Sequence, residues 1–178
     1  MHDDIVVDES MVRRLLSRTT PQWADLPVRR LASSGTDNAI YRVGEKLLLR
    51  LPRREAAANL ITKELDWLPR FGDLLLDVPK LYFRGRIDFG LKGEFGIFEW
   101  MEGDIAAPQN IADPLAAALA LASFLNALHR VDTEGAPPAG ESNHRRGVAL
   151  EVLSPVTLAA IEILADEIDT KAAMQLWK

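Results

Sequence analysis

The chain has 178 residues, which suits one domain or one domain and part of another. Hydrophobic residues make up 48% of it, enough for a packed core and too many for wholesale disorder. The net charge of −5 argues against general nucleic-acid binding, and the absence of cysteine excludes disulfides, thiolate metal sites and a cysteine nucleophile. It also fits a reducing, cytoplasmic setting.

The start, MHDDIVVDESMVRRLL, is acidic and lacks a basic segment followed by an apolar one, so no signal peptide is expected. Met11, Val12, Leu15 and Leu16 repeat at helical spacing, Asp8 or Ser10 is placed to cap them, and Pro21 stops the helix. VRRLAS and AIYRVG are strand candidates on either side of the polar turn Ser33-Ser34-Gly35-Thr36-Asp37-Asn38. A tight connection at Gly44-Glu45 leads into a third strand, KLLLRLP, and a helix follows from Arg54 to Leu68, ended by Pro69. The stretch DVPKLYFRGRIDFGLKGEFGIFEWME reads as two or three strands broken by glycines. Pro114 to Arg130 is a helix that is apolar nearly all round, the pattern of a buried helix. Its apolar run, Leu115 to Leu128, is interrupted by Ser123 and Asn126 and is too short to span a bilayer, so no membrane partner is expected. After a loop, Ser154 as N-cap and Pro155 at the first helical position open a last helix with no stop signal before Lys178. Strands precede helices, an α+β order with a boundary near Gly103 to Pro114.

Arg50 is the first residue that points to chemistry. Leu47, Leu49 and Leu51 share one face of their strand, and Leu48 and Arg50 share the other. On the next helix Leu60, Ile61, Leu65 and Leu68 form an apolar stripe with Glu64 inside it. A carboxylate on a buried face needs a partner, and Arg50 is the obvious candidate. A strand cation paired to a helix glutamate is how kinases hold nucleotide phosphates. The alternative is two unrelated surface charges. The Ser33–Asn38 turn could cover phosphates with backbone N–H groups and hydroxyls, or be a plain hairpin turn. GIFEWMEGD reads either as a strand leading into a base-binding linker or as a core strand ending in a turn at Gly103.

The segments TDNAIYRVGEKLLLRLPRREAAANLITKELDWLPR, IFEWMEG, LASFLNALHRVD, APPAG and HRRG together resemble the aminoglycoside phosphotransferase family. The resemblance runs from about Leu31 to the C-terminus, and it is most specific from Asp37 to Arg70. It implies a protein-kinase-like amino-terminal lobe over residues 1–103, with a mostly antiparallel sheet of about five strands and one packed helix. Residues 104–178 would then be a linker and the first helices of an incomplete second lobe. Ser34, Gly35, Thr36, Asp37 and Asn38 would form the nucleotide-positioning loop. Arg50 would hold phosphate where many members carry lysine, a change that keeps the charge but alters the geometry. Glu64 would be its partner and Phe98 the gatekeeper, and the backbones of Glu99 and Met101 would face the nucleobase.

For the complete family the resemblance implies ATP or GTP with magnesium, and phosphoryl transfer to an aminoglycoside or another hydroxyl-bearing small molecule. The family's catalytic aspartate, in a histidine-x-aspartate loop, and its metal aspartate are expected beyond Lys178. This chain alone is therefore expected to be inactive. Two local echoes do not supply those groups. Asp88-Phe89-Gly90 copies a kinase metal motif but precedes the linker at Glu99, and it reads as a hairpin turn. His129 in HRVD reads as a helix C-terminal residue. The histidines lack metal-ligand spacing, and Ser123 has no glycine elbow, so neither a metal site nor a hydrolase is expected. Asp166, Glu167 and Asp169 read as a solvated helix face that in a complete enzyme could attract a cationic substrate. The apolar Pro114–Arg130 helix, left without cover, is expected to drive homo-oligomerisation. The alternative to an enzyme fragment is a non-catalytic nucleotide-binding or interaction module.

Overall fold

A computed structural model describes residues 5–32, 35, 37–72, 74–90, 92–140, 143 and 145–177. Its first helix, α1, spans Glu9–Thr19, and the Asp8 carboxylate caps it by accepting from the Met11 N–H at 2.8 Å. The strands are β1 Val28–Arg30, β2 Asn38–Val43, β3 Leu47–Pro52, β4 Leu81–Arg86 and β5 Glu94–Glu99, and α2, Glu55–Trp67, follows β3. They form one antiparallel sheet in the order β1-β2-β3-β5-β4. The chain divides into two compact units, Met1–Glu134 and Gly135–Lys178, and the sheet lies in the first.

Period-two alternation gives the sheet two apolar faces. Ala39, Tyr41, Val43, Leu47, Leu49, Leu51, Phe95 and Ile97 bury one of them against Val12, Leu15 and Leu16 of α1. The Tyr41 hydroxyl donates to the Val7 carbonyl at 2.7 Å, and burial raises its pKa above the usual phenol range. Phe98, with Leu48 and Leu81, packs on the opposite face against Ile61 and Leu65 of α2. The sheet is thus covered by a helix on each side. The apolar stripe of α1 foretells that it packs somewhere, but not against which surface.

A bulge in β4 serves both cores. Leu81 stands opposite Phe98, whereas Phe83 stands opposite Ile97, so two positions on β4 match one on β5. The extra residue, Tyr82, sends Leu81 to the α2 side and Phe83 to the α1 side. Without it both would share a face.

Three elements depart from the sequence reading. The next helix, α3, spans Pro114–Leu128 with Asp113 as its N-cap, but none of its residues is buried. Leu115 is 70% exposed and Leu119 61%. In the second unit, α4 spans Leu150–Ile163, so Pro155 lies inside the helix and Ser154 is not its cap. Proline removes the N–H that would reach the Glu151 carbonyl, but Leu150–Ser154 still supply a helical turn ahead of it. The Ser154 hydroxyl instead accepts from the Trp177 indole N–H at 3.1 Å. The helix also stops at Ile163, and α5, Thr170–Trp177, starts anew. Asp169 caps α5 through the Ala172 N–H at 3.0 Å, while Asp166 and Glu167 are exposed in the intervening turn.

Gly96 is where the α2-side core is tightest. A Cβ there would stand 2.5 Å from the Phe98 ring and 2.7 Å from Leu65 Cδ2. Gly96→Ala is expected to cost about 1–3 kcal/mol of stability by overpacking, read as a lowered urea midpoint with an unchanged m-value.

Candidate functional site

The side of the sheet that carries α2 also carries the polar residues of interest. Asn38, Ile40 and Arg42 of β2 point there with Leu48 and Arg50 of β3, since Ile40 stands opposite Arg50 and Arg42 opposite Leu48. Arg50 donates to Glu64 Oε1 in a part-buried ion pair. Its Cζ lies 5.6 Å from the centre of the Phe98 ring. Gly96, opposite Arg50 across the β3–β5 ladder, has no side chain, and the Phe98 ring fills that space.

Glu64 is aimed at the sheet because α2 is fixed on both sides of it. Ile61 and Leu65 are buried, and Thr62 Oγ1 donates to Glu94 Oε2 at 2.9 Å. Arg84 of β4 donates to Asp66 Oδ1 at 2.6 Å and to both Glu94 oxygens at 2.8 and 2.6 Å. The hydrogen bonds from Arg84, with a smaller one from Thr62, hold the Glu94 carboxyl below its usual pKa. The same bonds, to Glu94 first and then Asp66, raise the pKa of Arg84 and keep it cationic.

Of the polar turn, Ser33, Ser34 and Thr36 lie outside the described residues, and Gly35 is exposed. Asp37 is bound to the start of α2 twice. Its carbonyl accepts from the Arg53 N–H at 2.8 Å, and its carboxylate accepts from Arg54 Nη2 at 2.5 Å. Asn38 Oδ1, Arg50 Nε and Arg54 Nε are buried with no partner among the described residues.

Beyond β5 the chain passes along the end of the sheet. The Glu99 N–H donates to the Lys80 carbonyl and the Trp100 N–H to the Lys46 carbonyl, both at 2.8 Å. The next residue, Met101, is 41% exposed, and its backbone N–H and carbonyl have no partner among the described residues. The Arg42 guanidinium lies 4.4 Å from the centre of the Trp100 ring and donates to Glu102 Oε1 at 2.9 Å.

The structure therefore brings Arg50, Glu64 and Phe98 into contact, sets Asn38 on the same face, and places Glu99 and Met101 at that sheet's end. Leu48 shares the face as the strand alternation predicts, and so do Ile40 and Arg42, which were not singled out from the sequence. Their parity with Arg50 was the available signal. Asp88 of the DFG triplet lies in the β4–β5 connection, paired with Arg18 of α1 at 2.5 Å, and His129 is the C-cap of α3. Among the described residues no group of three or more acidic, histidine or cysteine side chains could hold a metal ion. These residues do not make a magnesium site. No described helix is long and apolar enough to cross a membrane.

A model of the phosphotransferase enzyme family matches residues 28–176. The chain belongs to that family. No curated protein sequence matches it. Solved structures with a similar fold are aminoglycoside phosphotransferases. The GDP and kanamycin complex of APH(2")-IIia is 21% identical with a TM-score of 0.63, over 88% of this chain and 52% of that one. The GDP complex of a mutant aminoglycoside 2'-phosphotransferase-IIIa is 20% identical with a TM-score of 0.72, over 95% and 56%. The streptomycin–ATP complex of APH(2")-IIa is 17% identical with a TM-score of 0.55, over 92% and 53%. The likeness shows the kinase-like α+β fold, and this chain spans about half the length of those structures.

Glu94 gives the family chain a pH-dependent anchor for α2. Because its folded pKa lies below the unfolded reference of 4.5, its contribution is fully present above that pH. The contribution fades as pH falls through the folded value. Glu94→Gln should lower the melting temperature at pH 7, by the equivalent of about 1 kcal/mol for a part-exposed charged network. In thermal melts the variant and the native chain should converge only as the pH is lowered through and below the folded pKa of Glu94.

Proposed function

We propose that this chain is the nucleotide-binding part of a phosphotransferase that uses ATP or GTP to phosphorylate a hydroxyl of an aminoglycoside or a similar small molecule. The observation that carries this reading is the Arg50–Glu64 pair. It places one cation, fixed by a helix glutamate, on the half-open face of the sheet. A guanidinium so held can receive phosphate oxygens without reorganising, which is how positioning contributes to phosphoryl transfer. Arg50 in place of lysine offers a planar fork in place of a point charge.

The rest of the face suits the remainder of a nucleotide. Ile40 and Leu48 are half-buried beside Arg50 and offer an apolar surface for a base. The Met101 N–H and carbonyl, which have no partner among the described residues, suit the edge of a base, next to the Glu99 backbone. Phe98, 1% exposed under α2, closes the inner end of that surface as a gatekeeper does. Gly35, Asp37 and Asn38 belong to the nucleotide-positioning loop in this reading, together with Ser34 and Thr36. Residues 1–103 act as the nucleotide lobe and 104–178 as the linker and first helices of the second. Magnesium would arrive with the nucleotide.

Isothermal titration of the purified chain with ATP and with GTP, each with magnesium, tests the reading. Saturable binding of at least one, weakened about tenfold or more by Arg50→Ala through loss of a charge-assisted phosphate contact, is the expected result. No heat with either nucleotide would refute it. No histidine-x-aspartate sequence follows the linker at Glu99, where the catalytic loop of this reading belongs, so the same preparation should transfer no phosphate to kanamycin or streptomycin.

One observation favours an added role in association. Leu115, Leu119, Leu121 and Leu125 of α3 are all exposed, a larger apolar stripe than an isolated monomer normally carries. The purified chain is expected to form dimers or larger species, seen as a concentration-dependent mass in light scattering. A Leu119→Glu/Leu121→Glu variant should shift it toward monomer.

A further inference from the structure

A carboxylate sits in an unexpected place for a phosphate site. Asp37 ends the polar turn and directly precedes Asn38, the first residue of β2. Arg50 is two residues further along the ladder, since Asn38 pairs with Pro52 and Ile40 with Arg50. A bare aspartate there would repel any polyphosphate that Arg50 attracts. The chain meets this with Arg54. β3 ends at Pro52, the chain bends at Arg53 and Arg54, and Arg54 is the N-cap of α2 with extended dihedral angles of φ −149° and ψ 157°. From that position its guanidinium takes the Asp37 carboxylate at 2.5 Å. Both side chains are about one-third exposed, so the pair is open to solvent. The Arg53 N–H bond to the Asp37 carbonyl fixes the backbone under the pair.

We propose that Arg54 is a positioning residue that masks the charge of Asp37 and so makes the Arg50 face receptive to a nucleotide polyphosphate. This rests on the nucleotide reading given above. Arg54 acts through Asp37 and needs no contact with phosphate. The pair also ties the end of the phosphate turn to the helix that carries Glu64, so the turn and the Arg50–Glu64 bridge share one support.

The two single variants distinguish masking from simple bracing. If Arg54 only braced the fold, losing either partner would be equivalent. If it masks a charge, Arg54→Ala exposes an anion, whereas Asp37→Asn removes one. Calorimetric titrations with nucleoside triphosphate, diphosphate and nucleoside, in the adenine and guanine series, read the difference. Arg54→Ala should weaken triphosphate binding by about tenfold at low salt, diphosphate binding less, and nucleoside binding not at all. The loss should shrink at 0.5 M salt. Asp37→Asn should leave triphosphate affinity equal or raised, and Asp37→Asn/Arg54→Ala should return to within about twofold of the native value.

The proposal is overturned if Arg54→Ala weakens nucleoside and triphosphate alike, or if Asp37→Asn weakens triphosphate as much as Arg54→Ala does. Thermal melts run alongside. Should Arg54→Ala fail to fold, Asp37→Asn alone decides by the sign of its effect on triphosphate. A native chain that binds no nucleotide overturns the nucleotide reading and this proposal with it. A native chain that binds, with the variants indifferent, overturns this proposal alone.

Discussion

Arg50 puts a full positive charge on the third strand of the sheet, facing a helix that packs by burying Ile61 and Leu65. A charge in that position must be matched, because an uncompensated ion at the edge of an apolar core costs several kcal/mol, on the order of the stability of a whole domain. Glu64 matches it, and the requirement propagates. For Glu64 to reach Arg50, α2 must lie at one rotation about its axis. The Thr62, Asp66, Glu94 and Arg84 contacts hold that rotation from the far side of the helix. Gly96 must lack a side chain so that Phe98 can lie beside the guanidinium. The α2 side of the sheet is organised around one ion pair, while the α1 side is organised by aliphatic and aromatic packing, with the Tyr41 hydroxyl bonded to the Val7 carbonyl.

Much of this was readable in the residues. In Lys-Leu-Leu-Leu-Arg-Leu-Pro the alternation separates Arg50 from Leu49 and Leu51 whatever the tertiary fold, and Glu64 falls inside an apolar stripe by helical geometry. Three strands and then two or three more follow from β-rich runs cut by glycine and polar turns, and the resemblance to the family set the count at about five. What could not be read were choices made by distant parts of the chain. The stripe on α1 does not say which sheet face it will cover. The Leu81/Phe83 bulge depends on two cores competing for neighbouring side chains, and no local pattern records that competition. The apolar circumference of α3 signals burial, but burial needs a partner surface, and the described residues provide none.

The second unit shows the opposite error, in which a strong local signal loses. Ser154-Pro155 is a favourable helix start, yet Leu150, Glu151 and Leu153 are good helix formers already committed to the preceding turn. One missing hydrogen bond at Pro155 is a smaller loss than a whole turn of helix. Asp169 went unrecognised as a cap because no glycine or proline marks the break after Ile163.

The sheet has two open edges, β1 and β4, and each is a poor template for another chain. β1 is three residues long and ends in the exposed pair Arg29 and Arg30. β4 carries its bulge, and Tyr82, Arg84 and Arg86 are exposed along it. Short, charged and irregular edges block strand addition, the commonest route from a folded sheet to fibrillar aggregates. Copies of this chain that meet at high concentration should therefore not extend one another's sheets.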